Sequence, residues 1–137
     1  MNLYEIHISN LRSRYIDEVK RMVDEKNKLR EDAMELAISI SNICDEIKGC
    51  SVYVNQLLRS SSSIGANLHE ARYAQSRADF IHKLEIALKE CSETEYWLEF
   101  LYKKGKWNEE NYQQLIRSAG SVRRRLIASI TTAKGKQ

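Results

Sequence analysis

Three histidines, His7, His69 and His82, and three cysteines, Cys44, Cys50 and Cys91, are the side chains best suited to acid–base, nucleophilic or metal chemistry. A di-iron bundle needs a Glu-x-x-His motif from each of two helices and further inward glutamates. Asp79-x-x-His82 is the nearest approach; it has no partner motif, and His82 lies off the main apolar stripe. The cysteines show no C-x-x-C spacing. Cys44 and Cys91 fall on apolar stripes, where cysteine behaves as a small hydrophobe, and Cys50 sits in a connection with no evident base. The run Ser60–Ser63 lacks the G-x-S-x-G context of a hydrolase nucleophile, and no glycine-rich phosphate loop exists. No catalytic residue, metal site or cofactor is assigned, and the chain reads as non-enzymatic, with no small-molecule substrate.

The remaining chemistry is that of positive charge. The net charge is +3, unevenly spread. Residues 1–30 carry seven basic and five acidic side chains, residues 31–106 nine and twelve, and residues 107–137 six and two. Basic ends suit a polyanion, RNA or DNA; a solvated helix surface with basic residues near helix C-termini has the same composition. Arg72 and Arg77 flank Tyr73 near a turn, a grouping able to stack on bases and equally able to close a bundle end. Arg117 and the consecutive Arg123, Arg124 and Arg125 lie on the last helical segment. Consecutive residues fan around a helix, so these three do not share a face. These six arginines are the candidate nucleic-acid-binding residues.

The elements that must position them are helices. The 137 residues include no proline and five glycines, too few turn residues for a sheet-rich domain. The first segment runs from about Tyr4 to Lys48, with Leu29, Ala33, Leu36, Ala37, Ile40, Ile43, Cys44 and Ile47 on one face. The same phase extends backward through Met22, Val19, Tyr15, Leu11, Ile8 and Tyr4, with Lys26 on the stripe. One long helix overhanging a bundle is expected, stopped by Gly49. The second helix spans about Val52 to Tyr73. Its small residues Ser60, Ser61 and Gly65 allow close approach, with Gly65 leaving a notch, and a buried Asn67 calls for a partner across the interface. The third opens at Ser76 with Asp79 three residues on, a capping-box spacing, and ends at Lys103-Lys104-Gly105. Its stripe runs from Phe80 through Leu84, Ala87, Cys91, Thr94 and Leu98 to Tyr102. Ile86, Trp97 and Phe100 fall on another face and are the candidate oligomer interface. The fourth starts at Asn108, with Glu109 and Glu110 in its first turn, and the final TTAKGKQ is expected to fray.

Four amphipathic helices with short connections predict an all-α, up-down-up-down antiparallel four-helix bundle with a long first helix extended at the N-terminus. The expected division is an N-terminal helical extension over 1–23, a bundle domain over 24–134 and a tail over 135–137. No apolar run approaches the ~20 residues that span a membrane. The N-terminus has no apolar core like that of a signal peptide, and the odd cysteine count suits reduced thiols in a cytoplasm.

The central stretch carries a family resemblance. Gln56-Leu57-Leu58-Arg59-Ser60 and Ser63-Ile64-Gly65-Ala66-Asn67 with Glu70-Ala71 resemble a signature of the 23S rRNA intervening-sequence proteins. Ser76-Arg77-Ala78-Asp79-Phe80, Lys83-Leu84, Ile86-Ala87, Lys89-Glu90, Glu93-Thr94 and Tyr96-Trp97-Leu98 continue the match in order, and it covers roughly Ala33 to Ala133. The resemblance implies a small bacterial up-down bundle of a family with some members encoded in insertions within the large-subunit rRNA gene. It implies a homopentamer around a central axis and no established enzymatic activity. A related accessory protein of diversity-generating retroelements is a similar pentamer that binds nucleic acid. Residues 1–30 look longer than the family's usual lead-in, and Glu70-Ala71-Arg72-Tyr73-Ala74-Gln75 replaces its usual acidic-glycine turn. Two functions follow as expectations: a non-enzymatic oligomer that binds nucleic acid, RNA favoured, or a nucleoprotein partner; and a protein-interaction scaffold without nucleic acid, with the overhang as its docking element.

Overall fold

The computed structural model describes residues 1–135. Four helices occur in order: α1 (Leu3–Cys44), α2 (Ser51–Ala71), α3 (Arg77–Lys103) and α4 (Glu109–Gly135). Successive helices pack against each other and α4 closes back on α1, while the backbones of the diagonal pairs stay apart. This is the expected up-down-up-down antiparallel bundle. Each helix buries one stripe: Leu29, Ala33, Leu36, Ile40 and Cys44 of α1 meet Leu57, Ile64 and Leu68 of α2, Leu84, Cys91 and Leu98 of α3, and Leu115, Val122 and Leu126 of α4.

The helix α1 is 42 residues long, about 63 Å at 1.5 Å per residue. It opens on a capping box that the sequence reading missed. Asn2 Oδ1 accepts from the Glu5 amide at 2.8 Å, and Glu5 Oε2 accepts from the Asn2 amide at 3.0 Å. Of residues 1–28, all are exposed except the half-buried Met22. The overhang is therefore an exposed helix as far as Arg21; Met22 is half-buried, Lys26 lies over the Phe80 ring of α3, and the fully buried stripe begins at Leu29. The helix stops at Cys44, four residues before the expected Lys48. The last turn tightens into i→i+3 bonds, Glu46 to the Ile43 carbonyl and Ile47 to the Cys44 carbonyl. Gly49 at φ 77 and Cys50 at φ 57 then reverse the chain.

The helix α2 ends at Ala71 rather than Tyr73, through a similar tightened turn. Its four serines stay helical because each hydroxyl donates to a carbonyl of the preceding turn: Ser60 to Leu57, Ser61 to Leu58, Ser62 and Ser63 to Arg59. Ser60 and Ser61 are buried, and Thr94 Oγ1 of α3 lies 3.1 Å from Ser60 Oγ. Asn67, expected to bond across an interface, instead donates to the Ser63 carbonyl of its own helix at 2.8 Å. The expected notch at Gly65 is shallow: a methyl there would meet Ala33 Cβ of α1 at 3.9 Å, an ordinary contact.

Ser76 caps α3 as expected, accepting from the Asp79 amide at 3.0 Å, but the Asp79 carboxylate reaches back to the Gln75 amide rather than to Ser76. The helix ends in a Schellman motif: Lys106 N–H donates to the Leu101 carbonyl and Gly105 N–H to that of Tyr102, with Gly105 at φ 75. Trp107 plugs the α3–α4 end of the core, its Nε1 donating to the Leu98 carbonyl at 3.2 Å. Asn108 caps α4 through the Asn111 amide. Thr131–Gly135, expected to fray, is helical, and residues 136–137 of the expected tail lie outside the described residues.

Candidate nucleic-acid interface

The six candidate arginines have different fates, set by where each falls on its helix. Arg77 opens α3 at the end of the bundle where α4 finishes. Its Nε donates to the Ala133 carbonyl at 2.9 Å, which supplies a donor and a positive charge to the C-terminal turn of α4. Arg123 and Arg125 point from α4 toward its two neighbours. Arg123 Nε bonds Glu95 Oε1 of α3 at 2.8 Å, and Arg125 Nη1 bonds Asp32 Oδ2 of α1 at 2.5 Å. Both pairs are part-buried and act as helix–helix clasps.

Arg72, Arg117 and Arg124 are exposed and form no ion pair among the described residues. Arg117 and Arg124 are seven residues apart, hence on one face of α4 and about 10.5 Å apart along its axis. Arg72 caps α2 beside the exposed Tyr73, whose ring lies 6.0 Å from that of His69. Since α2 and α4 are diagonal in the bundle, Arg72 belongs to the α2–α3 turn and not to the α4 face. The six residues thus form no single patch. What they leave for a polyanion is a pair of unengaged guanidiniums on the outer face of α4 and a third at the bundle end.

The α2–α3 seam holds a clasp that sequence reasoning missed. Arg59 bonds Glu93 at 2.6 Å and Glu90 at 3.3 Å, and Glu93 also accepts from Trp97 Nε1 at 3.2 Å. The guanidinium of Arg59, then the indole N–H, hold the Glu93 carboxyl below the usual carboxylate range. The i,i+3 spacing of Glu90 and Glu93 was the available signal. Trp97 and Phe100 pack on Tyr53 of α2, with ring centroids 5.9 and 4.7 Å away, so much of their surface is engaged within the chain. Tyr96 stays exposed beside them. Ile86 is half-buried, three turns nearer the start of α3.

The histidines are all exposed and on three different elements. Among the described residues, no group of three or more His, Cys, Asp or Glu side chains is arranged to hold a metal ion, and no helix is long and apolar enough to cross a membrane.

Comparison with known proteins agrees with this geometry. The family model of the 23S rRNA-intervening sequence protein matches residues 25–128. A crystal structure from Bacteroides thetaiotaomicron VPI-5482, of a protein with unknown function from the S23 ribosomal protein family, is 41% identical, with a TM-score of 0.74; the match covers 78% of this chain and 98% of that one. No curated protein matches. The overhang before residue 25 lies outside the family match.

Proposed function

This chain belongs to the 23S rRNA-intervening sequence protein family, and from that premise we propose that it is a non-enzymatic, homo-oligomeric bundle that binds nucleic acid, RNA in preference to DNA. The observation that carries the reading is the pair Arg117 and Arg124, exposed and, among the described residues, without an ion pair on one face of α4 while their neighbours Arg123 and Arg125 are engaged by Glu95 and Asp32. Two guanidiniums at that spacing contact backbone phosphates without reading bases, so binding is driven by counterion release. Arg72 adds a contact at the bundle end. Assembly, a pentamer by family resemblance, multiplies these weak contacts around an axis. Ile86 and the exposed edges of Trp97 and Phe100 are the proposed subunit contact.

The test is fluorescence anisotropy with a structured RNA across a salt series. Arg117→Ala/Arg124→Ala lowers the log–log salt slope by about 1.4–1.8 per subunit engaged, at roughly 0.7–0.9 for each phosphate that the variant leaves unneutralised. Absence of binding at low salt, or an unchanged slope in the double variant, sinks the reading.

A second reading, a protein-interaction scaffold without nucleic acid, is favoured by the exposed apolar face of the overhang. Deleting residues 1–23 then abolishes partner capture or changes the assembly mass.

A further inference from the structure

From Tyr4 to Val19 the overhang of α1 carries an exposed apolar ribbon. Tyr4, Ile8, Leu11, Tyr15 and Val19 continue the phase of the buried stripe Leu29–Cys44, yet remain between 41% and 72% exposed. Most helical stability in proteins comes from packing of an amphipathic face, and a face this apolar costs free energy unless it is covered.

The spacing of the ribbon says what covers it. Its positions are 4, 8, 11, 15, 19, 22 and 26, and this set is symmetric about Tyr15: four, seven and eleven residues away on either side another member occurs. A ribbon that reads the same from both ends matches itself when a second copy is turned end for end. In that arrangement Tyr15 meets Tyr15, Leu11 meets Val19 and Ile8 meets Met22. Tyr4 comes level with Lys26, whose ammonium already lies 5.0 Å from the centre of the Phe80 ring. The steps of four, three and four residues repeat every eleven, a period that gives paired helices a right-handed supercoil.

The flanking charges choose the same arrangement. With the copies antiparallel about Tyr15, Arg14 comes within two residues of the level of Glu18 on the facing flank, and Glu5 within one residue of Lys26. In a parallel pair, opposite flanks meet instead. Arg21 would then face Lys26, like charges.

The antiparallel register also fills a space. A groove of about 880 Å³ opens where α1 leaves the bundle, walled by Met22, Lys26 and Leu29 of α1, Phe80 of α3, and Ala128 and Thr132 of α4. The first turn of the second copy, with Leu3 and Tyr4, ends level with it.

We propose that the α1 overhang pairs with the overhang of a second copy of this chain in an antiparallel two-helix seam centred on Tyr15, each copy's first turn seated in the groove at the base of the other. The pairing joins two bundles end to end, independently of contacts between the bundle bodies and of any nucleic acid.

The experiment uses the full chain. Sedimentation equilibrium of Leu11→Asp/Tyr15→Asp should lower the mass to that of the unit held by the bundle bodies alone, half that of two such units joined through their overhangs, with unchanged cooperative unfolding of the bundle; an unchanged mass overturns the proposal. Orientation is read by cysteine pairing in a Cys50→Ser background, which leaves only buried thiols. Tyr15→Cys, on the symmetry axis, should cross-link to itself on mild oxidation, and Tyr4→Cys should not. Self-cross-linking at Tyr4, or none at Tyr15, overturns it and gives the ribbon to another occupant. Arg14→Glu should weaken association at least tenfold, and adding Glu18→Arg in the same chain should restore it. A restored pair shows that the first variant failed in recognition and not in folding.

Discussion

Arg123 and Arg125, separated by one residue on α4, grip opposite neighbours: Arg123 holds Glu95 of α3 at 2.8 Å, and Arg125 holds Asp32 of α1 at 2.5 Å. The 100° step between successive helical residues makes this possible. It sends the outer two of three consecutive arginines to the two flanking helices and leaves Arg124 facing outward between them. One short basic run therefore serves two purposes, tying α4 into the bundle and presenting charge beyond it.

That division predicts a separation of phenotypes. Arg125→Ala and Arg123→Ala each lower stability by about 0.2–1 kcal/mol, the range for partly exposed ion pairs. Arg124→Ala and Arg117→Ala change stability by less than about 0.5 kcal/mol. Urea midpoints of the four single variants check this directly. Equal losses at Arg123 and Arg124 would contradict the assigned roles.

The bundle was legible in the sequence because hydropathy phase reports burial directly. Leu29, Leu57, Leu98 and Leu126 all fall where their stripes require. Caps with short-range signatures, Ser76 and Asn108, were legible for the same reason. Helix ends governed by backbone tightening were not. Nothing in Asp45-Glu46-Ile47-Lys48 distinguishes an α-turn from the i→i+3 turn that forms there. The fates of the arginines were the least legible. Phase says that Arg123, Arg124 and Arg125 diverge, but the acidic partner each one meets lies on another helix, and a single sequence does not place Glu95 or Asp32 beside them. Asn67 misled in the opposite sense: a polar residue at the core edge suggested a cross-helix bond, and the carbonyl of Ser63, four residues back, was nearer.

Gly65 yields a prediction of opposite sign to the usual cost of a core substitution. It lies within α2, where glycine is disfavoured by roughly 0.5–1 kcal/mol relative to alanine through the freedom it has in the unfolded chain. A methyl group there meets Ala33 Cβ at 3.9 Å and the Met34 amide nitrogen at 4.0 Å, contacts that need no shift of α1. Gly65→Ala therefore raises stability by about 0.5–1 kcal/mol, read as a higher urea midpoint at unchanged m. Gly65→Leu, which pushes further toward α1, should lower it. A destabilised alanine variant would mean that α1 and α2 approach more closely than these distances.

The thiols give the pH dependence. Burial, with Asp45 nearby, pushes Cys44 up to about 11. Burial, then the Glu95 charge, pushes Cys91 up to about 12, and Cys91 Sγ donates to the Ala119 carbonyl at 3.4 Å. Unfolded thiols ionise near ~8.5. Above that pH the unfolded chain releases protons that the native state retains, so the equilibrium moves toward unfolding. The contribution of these groups is complete below about pH 8 and is lost as pH rises toward 11–12, at up to roughly 1.4 kcal/mol per pH unit for each thiol. Tyrosines and lysines titrate in the same range, so the useful quantity is a difference. Wild type and Cys44→Ala/Cys91→Ser are unfolded with urea at pH 7 and pH 10. The variant starts lower, because it loses packing, and falls less between the two pH values. Ellman's reagent supplies the kinetic counterpart: Cys50 reacts in the native protein, and Cys44 and Cys91 react only once urea has opened the bundle. Parallel pH profiles for the two proteins would show that neither thiol is held from water as tightly as its position between the helices requires.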